Sequence, residues 1–430
     1  MHEINIPTFI ICLIIISPSL MFAQEKVLSL DDCIKTAGKN SPELQSQEAK
    51  VEELKYKYYG QRGMLLPQLD ASASYLQYGE QLPSKKVLFG NSLDDYYADV
   101  SVRQVLFAGG KYYSLTKSAW LSYKAEKYKL DIVKRSVLLS VKKAYFELAR
   151  SNYAVKVQQE LLDKLKEQSN IAQLLYNSGK TSSLDVLKIQ TQVASSEDIL
   201  NSLKDLLHTR SLLLGQVVGV NEPVTIEDTS PQAKENIVVN THCLQDKFKG
   251  NPELKYVVSS VDRAGYDVKA ARSDLMPSLI LRANYNFEDK EFFPGNPNWY
   301  AGAGIILPLF HGGSTFAQIG QAKARQKQAI DAVRQTEIAL QVKFESAVAT
   351  AADKRNRLKT TKKVLDLSKE ALNAAELKYN AGKLTALELI DAQAVWNNAM
   401  LTYENNTIDY LITLAEIEYI CPQAIAGSVK

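Results

Sequence analysis

Two acidic residues on one predicted helix have the types and spacing that could act on a passing solute. Glu388 and Asp391 are three positions apart, so they lie on the same helix face. Such a pair either concentrates cations or belongs to an ordinary solvated surface, and the residues alone leave both interpretations open. His208, His242 and His311 are far apart and lack partner ligands at metal spacing, so no metal site is predicted.

The chain contains none of the residue patterns that are typical of an enzyme. No nucleophile elbow, Walker-type phosphate loop or Cys–His arrangement occurs in its 430 residues. The formal net charge is only +3, which gives no support for binding nucleic acid. We therefore expect a protein that is not an enzyme and that uses no cofactor.

The acidic pair follows one of two glycine turns that occupy equivalent places in a duplicated chain. The sequence Y-N-S-G-K at 176–180 returns 203 positions later as Y-N-A-G-K at 379–383. Each copy places a glycine between two helical patterns, which suits a tight left-handed turn between antiparallel helices. Two further motifs are duplicated, namely N-S-P-E-L at 40–44 with G-N-P-E-L at 250–254, and L-F-A-G-G at 106–110 with L-F-H-G-G at 309–313.

Four segments before the glycine pairs alternate with period two, so each has one apolar face and one polar face. Each is about ten residues long, as in a tilted membrane-spanning strand. A soluble sandwich would also have one apolar face, but two isolated hairpins are too few to bury it in water. Open sheet edges cannot lie in lipid, so several chains must combine their hairpins. The predicted strands are about 69–78, 96–105, 278–287 and 299–308.

Long helical patterns follow each glycine pair and then return after the glycine turn. They predict helices at about 111–177 and 183–215 in the first copy, and at 314–378 and 385–419 in the second. Apolar residues at a spacing of seven predict coiled-coil packing of the long helices. This seam consists of Val141, Leu148, Val155 and Leu162, and of Phe344, Ala351, Leu358 and Leu365.

The N-terminus has the pattern of a secretory signal peptide, although a buried N-terminal strand would also explain an apolar run. Residues 9–16 are apolar but too few to span a bilayer, and a small residue, Ala23, precedes the expected cleavage point. Cys12 lies inside the apolar run, so no lipid anchor is predicted. The predicted divisions are a signal peptide (1–23), a first repeat (24–218), a linker (219–240), a second repeat (241–419) and a tail (420–430).

Three cysteines remain after the predicted signal peptide. They are Cys33, Cys243 and Cys421, and an odd number implies no disulfide framework. Cys33 and Cys243 occupy matching points of the repeat, where we expect small apolar side chains that fill the core.

The duplicated glycine pairs, Pro-Glu-Leu openings and Y-N-x-G-K turns, in the same order in both halves, resemble the TolC-like outer membrane efflux proteins of Gram-negative bacteria. The resemblance covers essentially the whole chain after the signal peptide. Members of this family are also called outer membrane factors. The resemblance implies a mainly α protein with membrane β-strands. Three chains would form a 12-stranded β-barrel in outer-membrane lipid, continued by a periplasmic α-helical coiled-coil barrel.

The resemblance also implies roles for the turns and for the acidic pair. Glu388 and Asp391 match the residues that line the closed pore constriction, where threefold symmetry would gather six carboxylates. The turns would lie at the periplasmic tip, facing an adaptor protein and an inner-membrane transporter. The matching tip residues for adaptor docking are Gly179, Lys180, Gly382 and Lys383.

A gate latch follows from the same resemblance. Tyr379 and Asp185 match partners whose hydrogen bond holds the two helical hairpins shut. The sequence departs from the family pattern at Leu384, where an arginine is expected. One closing contact is then missing, or Lys383 supplies it.

The predicted function is an outer-membrane channel-tunnel of a tripartite efflux pump, which exports drugs or other small molecules and is gated at its periplasmic tip. One alternative is the exit duct of a type I protein secretion system. Another is a periplasmic coiled-coil adaptor, which would have one helical hairpin in a lipoyl-like domain, whereas this chain has two hairpins.

Overall fold

The structure is a computed structural model that describes residues 27–80, 83, 85–86, 90–227, 240, 244, 246, 248–292, 296–381 and 383–425. The predicted signal peptide (1–23), Cys243 and Gly382 lie outside the described residues, as does much of the predicted linker.

The first half of the chain contains three short or middle-sized elements, a hairpin and a long helical pair. Ser29 and Ser41 cap the first two helices, since the side chain of each accepts a hydrogen bond from a backbone N–H of the first turn. The elements are β1 (Val27–Leu28), α1 (Leu30–Asn40), α2 (Pro42–Gly63), β2 (Gln68–Gln77), β3 (Asp94–Ala108), α3 (Lys111–Asn177) and α4 (Ser183–Val218).

From the helix before the hairpin onwards, the second half repeats this order with nearly the same lengths. The long helix has 67 residues in both halves, and the helix that precedes the hairpin has 22 in both. The elements are β4 (Thr225–Ile226), α5 (Pro252–Ser273), β5 (Ser278–Asp289), β6 (Asn296–Ile306), α6 (Ser314–Asn380) and α7 (Ala386–Ile420), followed by a 3₁₀ turn at Pro422–Ala424.

The strands differ from the predicted ranges mainly at their ends. β2 is shifted by one residue towards the N-terminus, β3 extends to 94–108, and β5 continues to Asp289. β6 begins three residues earlier than expected and ends at Ile306 instead of 308. The earlier end has a physical reason, because Pro308 has no N–H group to continue the ladder.

The long helices begin where the sequence places them, at Lys111, Ser183 and Ser314, and extend slightly further than predicted. α4 ends at Val218 instead of 215, and α6 at Asn380 instead of 378. α7 covers 386–420 instead of 385–419, because Thr385 is the N-cap and has an extended backbone.

The two hairpins form one antiparallel sheet in the order β2–β3–β5–β6. The central contact joins β3 of the first half to β5 of the second, with a bulge between Val105 and Phe107. The outer strands β2 and β6 therefore pair on one side only within the chain. The apolar stretch that a bilayer-crossing helix requires is found in none of the helices of the described ranges.

The core lies midway along the long helices, where both repeats and the short β1–β4 pair meet. Six of the eight predicted seam residues are buried, and only Val155 and Leu365 are half-buried. A second, smaller cluster near the glycine turns packs Ile390 of α7 against Leu165 and Ile189 of the other helical pair. The apolar seam therefore continues almost to the turns.

The cysteines differ from each other in chemical state. Cys33 is free and fully buried, and burial raises the pKa of its thiol to about 11, so it acts as an unreactive core residue. Cys421 is disulfide-bonded, which the odd cysteine count did not predict. An odd number leaves at least one thiol free but does not prevent the others from pairing.

Candidate functional site

The first glycine turn closes α3 with a compact set of backbone hydrogen bonds. The N–H of Ser178 donates to the carbonyl of Leu174 (3.2 Å), and that of Lys180 donates to Leu175 (2.8 Å). Gly179 has a φ of +72°, and a Cβ added to it would meet nothing within 4 Å. The glycine is therefore needed for its left-handed backbone and not for space.

The second turn has the same hydrogen bonds 203 residues later. The N–H of Ala381 donates to Leu377 (3.1 Å), and that of Lys383 donates to Lys378 (2.9 Å). Lys180 and Lys383 are both exposed at these turns. The two predicted tip turns thus have matching geometry wherever both are described.

Asp185 lies in the first turn of the returning helix α4, whose N-cap is Ser182. Its backbone N–H donates to the Ser182 hydroxyl (3.2 Å), and its carboxylate accepts from the hydroxyls of Ser182 (2.7 Å) and Thr181 (3.2 Å). The hydrogen bonds to the carboxylate lower the pKa of Asp185, and the one from the Ser182 hydroxyl has the largest effect.

Glu388 has the equivalent place in the second turn and completes a reciprocal capping box with Thr385. Its carboxylate accepts from the backbone N–H (2.9 Å) and hydroxyl (2.7 Å) of Thr385, whose hydroxyl in turn accepts from the N–H of Glu388 (3.3 Å). The hydrogen bond from the Thr385 N–H is the main cause that lowers the pKa of Glu388.

This capping role was missed in the sequence analysis, although the pattern was present. The segments S-S-L-D at 182–185 and T-A-L-E at 385–388 both have the spacing of a capping box. Glu388 and Asp391 lie on one exposed turn of α7, so the structure does bring the acidic pair together. The residue equivalent to Asp391 in the first repeat is Lys188, so the two turns differ in charge.

A groove of about 520 Å³ separates the two turns, and both predicted latch residues line it. Tyr379 and Asp185 are half-buried there, with Leu384 beside them. No hydrogen bond joins Tyr379 to Asp185 in the described part of this single chain. The Asp185 carboxylate instead accepts hydrogen bonds from the hydroxyls of Thr181 and Ser182. The latch residues therefore share a groove without being in direct contact through a hydrogen bond.

Exposed leucines flank both turns at equivalent positions, and sequence reasoning did not single them out. Leu174 and Leu377 are 69% and 73% exposed, and Leu184 and Leu387 are also exposed. Their recurrence at the duplication spacing was visible in the sequence. Large apolar side chains that recur at the end of a molecule are typical of a surface that contacts a partner.

The described residues contain no group of three or more His, Cys, Asp or Glu side chains placed to hold a metal ion. At the turns, the carboxylates of Asp185 and Glu388 accept hydrogen bonds from the residues that begin the returning helices. The arrangement can attract ions and contact a partner.

The fold and this site together define a class of protein. One end has hairpins with an exposed apolar face, and the other end, about 100 Å away along 67-residue helices, has paired turns with charged and apolar residues. Such a chain is a component of a membrane channel with a long extramembrane extension.

A family profile described as "Outer membrane efflux protein" matches residues 33–220 and 244–420, and the chain belongs to this family. The pyoverdine export outer membrane protein OpmQ of Pseudomonas aeruginosa is 21% identical over 85% of this chain and 78% of its own length. The alkaline protease secretion protein AprF of the same species is 24% identical over 76% and 69%. The solved outer membrane channel CmeC of Campylobacter jejuni has the same fold, with a TM-score of 0.79 at 17% identity over 100% of this chain and 96% of that one.

These comparisons confirm the resemblance that the duplicated motifs indicated. The protein is an outer-membrane efflux channel that extends into the periplasm, and its family consists of transport proteins, not enzymes. The interpretation as a periplasmic adaptor is thereby set aside.

Proposed function

We propose that three copies of the chain form the closed exit duct of a tripartite efflux pump. Each repeat (24–218 and 241–419) contributes one hairpin to a 12-stranded barrel and one helical hairpin to the periplasmic coiled-coil barrel. The observation that carries this proposal is the four-stranded sheet with two open edges, β2 and β6.

The open edges require a neighbouring chain because the sheet has a lipid-compatible surface. Leu69 and Tyr75 of β2 and Trp299 and Ile305 of β6 are each more than half exposed. In hydrocarbon, every unpaired backbone group of an edge strand costs several kcal/mol, so β2 of one copy pairs with β6 of the next. Two copies would give eight strands with an interior filled by side chains, whereas three give twelve and leave a passage.

At the far end, threefold symmetry gathers the acidic residues into the pore constriction. Glu388 and Asp391 of three copies place six carboxylates around one axis, where their negative potential attracts cations and repels anions. The tip turns dock a periplasmic adaptor, which connects the duct to an inner-membrane transporter. Exposed Lys180 and Lys383, with the flanking leucines, form that docking surface.

The gate latch is proposed to form as the two helical hairpins approach at the tip. Tyr379 and Asp185 line one groove, so closure of that groove would bring the tyrosine hydroxyl towards the carboxylate. Tyr379→Phe and Asp185→Ala channels should then show higher single-channel conductance in planar bilayers. A conductance equal to that of the wild type in both variants would exclude these residues from the gate.

A type I secretion duct remains the second candidate, because AprF is named for secretion of a protease and OpmQ for export of pyoverdine. The two functions can be distinguished by expressing the chain in a Gram-negative strain that lacks its own exit duct. Restored resistance to small toxic compounds supports the efflux function, and restored protein secretion without resistance supports the alternative.

Cross-linking tests the trimer directly. Tyr75 of β2 and Ala303 of β6, which the duplicated register of β3 and β5 places opposite each other in neighbouring copies, are replaced by cysteine and joined by a flexible bis-maleimide in isolated outer membranes. We expect covalent dimers and trimers and no larger species, because the ring closes at three. The control replaces Ala73 and Ala98, which are opposite each other within one chain and should give monomers only. A ladder that continues beyond three, or monomers in both cases, would contradict the closed trimer.

A further inference from the structure

A groove of about 630 Å³ lies between α3, α5 and α6, close to the end of the sheet. Three cationic side chains line it, Lys117, Lys269 and Arg272, beside the rings of Trp120 and Tyr266. In the described part of the chain, no carboxylate lies within ion-pair distance of these three cations. One acid, Asp262, also lines the groove, so the groove carries a net positive charge.

The cations lie near the sheet-side ends of α3 and α5, next to the part of the chain proposed to span the membrane. Arg272 is the penultimate residue of α5, and β5 begins six positions later. Lys117 is six residues into α3, about 9 Å along the helix from its start. Exposed Phe107 and Phe310 mark the apolar boundary just above, at the ends of the adjoining chain segments. The three cations therefore lie within about 10 Å of the sheet-side ends of α3 and α5, in the region where basic and aromatic residues anchor a membrane protein at its interface.

The contacts of α3 show which way this face points in a closed ring. Thr116 donates to a backbone carbonyl of α2, and Ser118 donates to a carboxylate of α5, so these residues mark the two neighbouring helices. Successive helix residues are turned by about 100°, so the directions of Thr116 and Ser118 are about 200° apart on one side of α3 and about 160° apart on the other. The wider side contains Lys117, Trp120 and Lys124. Neighbours in a ring lie towards its axis, so the wider side is the outer surface.

The aromatic rings hold the cations in this outer face. The Lys117 ammonium lies 5.3 Å from the ring centre of Trp120, and that of Lys124 lies 5.4 Å from it. On α5, the Lys269 ammonium lies 4.6 Å from the ring centre of Tyr266. Cation–π contacts of this kind orient long side chains and leave their N–H groups available to a ligand.

Positive charge is concentrated at this end of the molecule, although the whole chain is nearly neutral. Residues 111–129 contain five lysines and one glutamate, and residues 314–330 contain three basic residues and no acidic one. The net charge of the whole chain is only +3. Such a local excess favours an anionic membrane surface, and its field is screened beyond about 8 Å in physiological salt.

We propose that this groove binds the phosphate headgroup of an anionic phospholipid from the periplasmic leaflet of the outer membrane. The three cations hold the phosphate, and Trp120 lies at the glycerol level with the acyl chains directed towards the lower ends of the strands. The outward orientation rests on the proposed trimer, whereas the cation cluster is a property of the single chain.

Native mass spectrometry of the full chain purified from outer membranes tests the site, with phosphatidylglycerol as the probe. We expect up to three bound lipids per trimer, a clear preference over zwitterionic phosphatidylethanolamine, and no displacement by inorganic phosphate. Each cation contributes about a fivefold factor near an anionic surface, so Lys117→Gln, Lys269→Gln and Arg272→Gln together should weaken binding by roughly two orders of magnitude.

The control removes the same charge from α6 about 70 Å from the sheet, through Lys359→Gln, Lys363→Gln and Lys369→Gln, and should bind as the wild type does. Three outcomes would overturn the lipid site. They are binding by the groove variant as tight as that of the wild type, a loss of binding in the control variant as large as in the groove variant, and displacement of the lipid by inorganic phosphate. A monomeric mass would instead contradict the proposed trimer, whatever lipid remained bound.

Discussion

At the scale of single residues, Glu388 combines two roles that are usually separate. Its carboxylate accepts two hydrogen bonds from Thr385 and so stabilises the start of α7, while its charge contributes to the exposed acidic turn with Asp391. Glutamine at the same helix position also completes a capping box. The charge can therefore be removed without losing the cap.

Glu388→Gln with Asp391→Asn should abolish most of the cation preference of the channel. Six carboxylates disappear from the proposed constriction of the trimer, so the negative potential that selects cations falls. The measurement is the reversal potential in a potassium chloride gradient across a planar bilayer. The control is Glu48→Gln with Glu52→Gln, two exposed acids on α2. An unchanged reversal potential in the first variant would place the acidic pair outside the conducting path.

At the scale of elements, the glycine pairs show where chain segments approach each other. Gly109 has a φ of +58°, and an added Cβ would lie 2.5 Å from the Met276 Cβ and 3.0 Å from the Ser273 carbonyl. Its equivalent, Gly312, has nearly the same φ but open space around it. The difference arises because Gly109 lies at the internal β3–β5 junction, whereas Gly312 lies beside the open edge of β6.

Gly312→Ala should therefore weaken the trimer. In a single chain the added methyl group would meet nothing, so the loss would come from contact with the next copy. By the duplication, the neighbours of Gly109 correspond to Gly63 and Leu66, which the next copy would bring against Gly312. An alanine with a positive φ costs about 1–2 kcal/mol in backbone strain by itself. Gly313→Ala is the control for this cost, because Gly313 also has a positive φ, of +81°. The temperature at which the trimer dissociates on unheated gels measures the effect. Equal losses in both variants would argue against a chain interface at Gly312.

At the scale of the whole molecule, a network of charges joins all four long helices near their middle. Asp409 of α7 accepts hydrogen bonds from Arg150 of α3 and Lys354 of α6, each at 2.6 Å. Arg150 also lies 3.6 Å from Glu147, which pairs with Arg210 of α4. Burial acts to raise the pKa of Asp409, but the hydrogen bonds from Lys354 and Arg150 outweigh it, and the pKa is lowered.

Asp409→Asn should lower the free energy of unfolding by about 1–2 kcal/mol at neutral pH, because two cations lose their shared carboxylate in a half-buried site. Asp353→Asn, which breaks an exposed pair with Arg357, should cost less than about 0.5 kcal/mol. Denaturant unfolding followed by circular dichroism measures both variants.

The pH dependence of this contribution has a definite sign. A carboxyl with a lowered folded pKa stabilises the protein above its ordinary value of 3.8 and loses that contribution as the pH falls through the lowered folded pKa. The difference between wild type and Asp409→Asn should therefore narrow below pH 3.8. A difference that is constant down to the lowered pKa and beyond would show that the asparagine acts through packing and not through charge.

The sequence by itself determined the duplication, the alternation of the strands, the starts of the long helices and the family. Each of these can be recognised from short local patterns, such as glycine pairs or apolar positions at a spacing of two or seven, and from the recurrence of those patterns along the chain. The N-cap at Ser182 and the capping box at Thr385 were equally local and could have been predicted.

Only the tertiary structure decided how the two repeats combine. The pairing of β3 with β5, the close approach of Gly109 to Met276, the shared groove of Tyr379 and Asp185, and the salt-bridged position of Asp409 all join residues more than 50 positions apart. Periodicity specifies which face of a helix or strand is apolar, but not which distant element covers it. That choice is made by packing, so it appears only when the whole chain is folded.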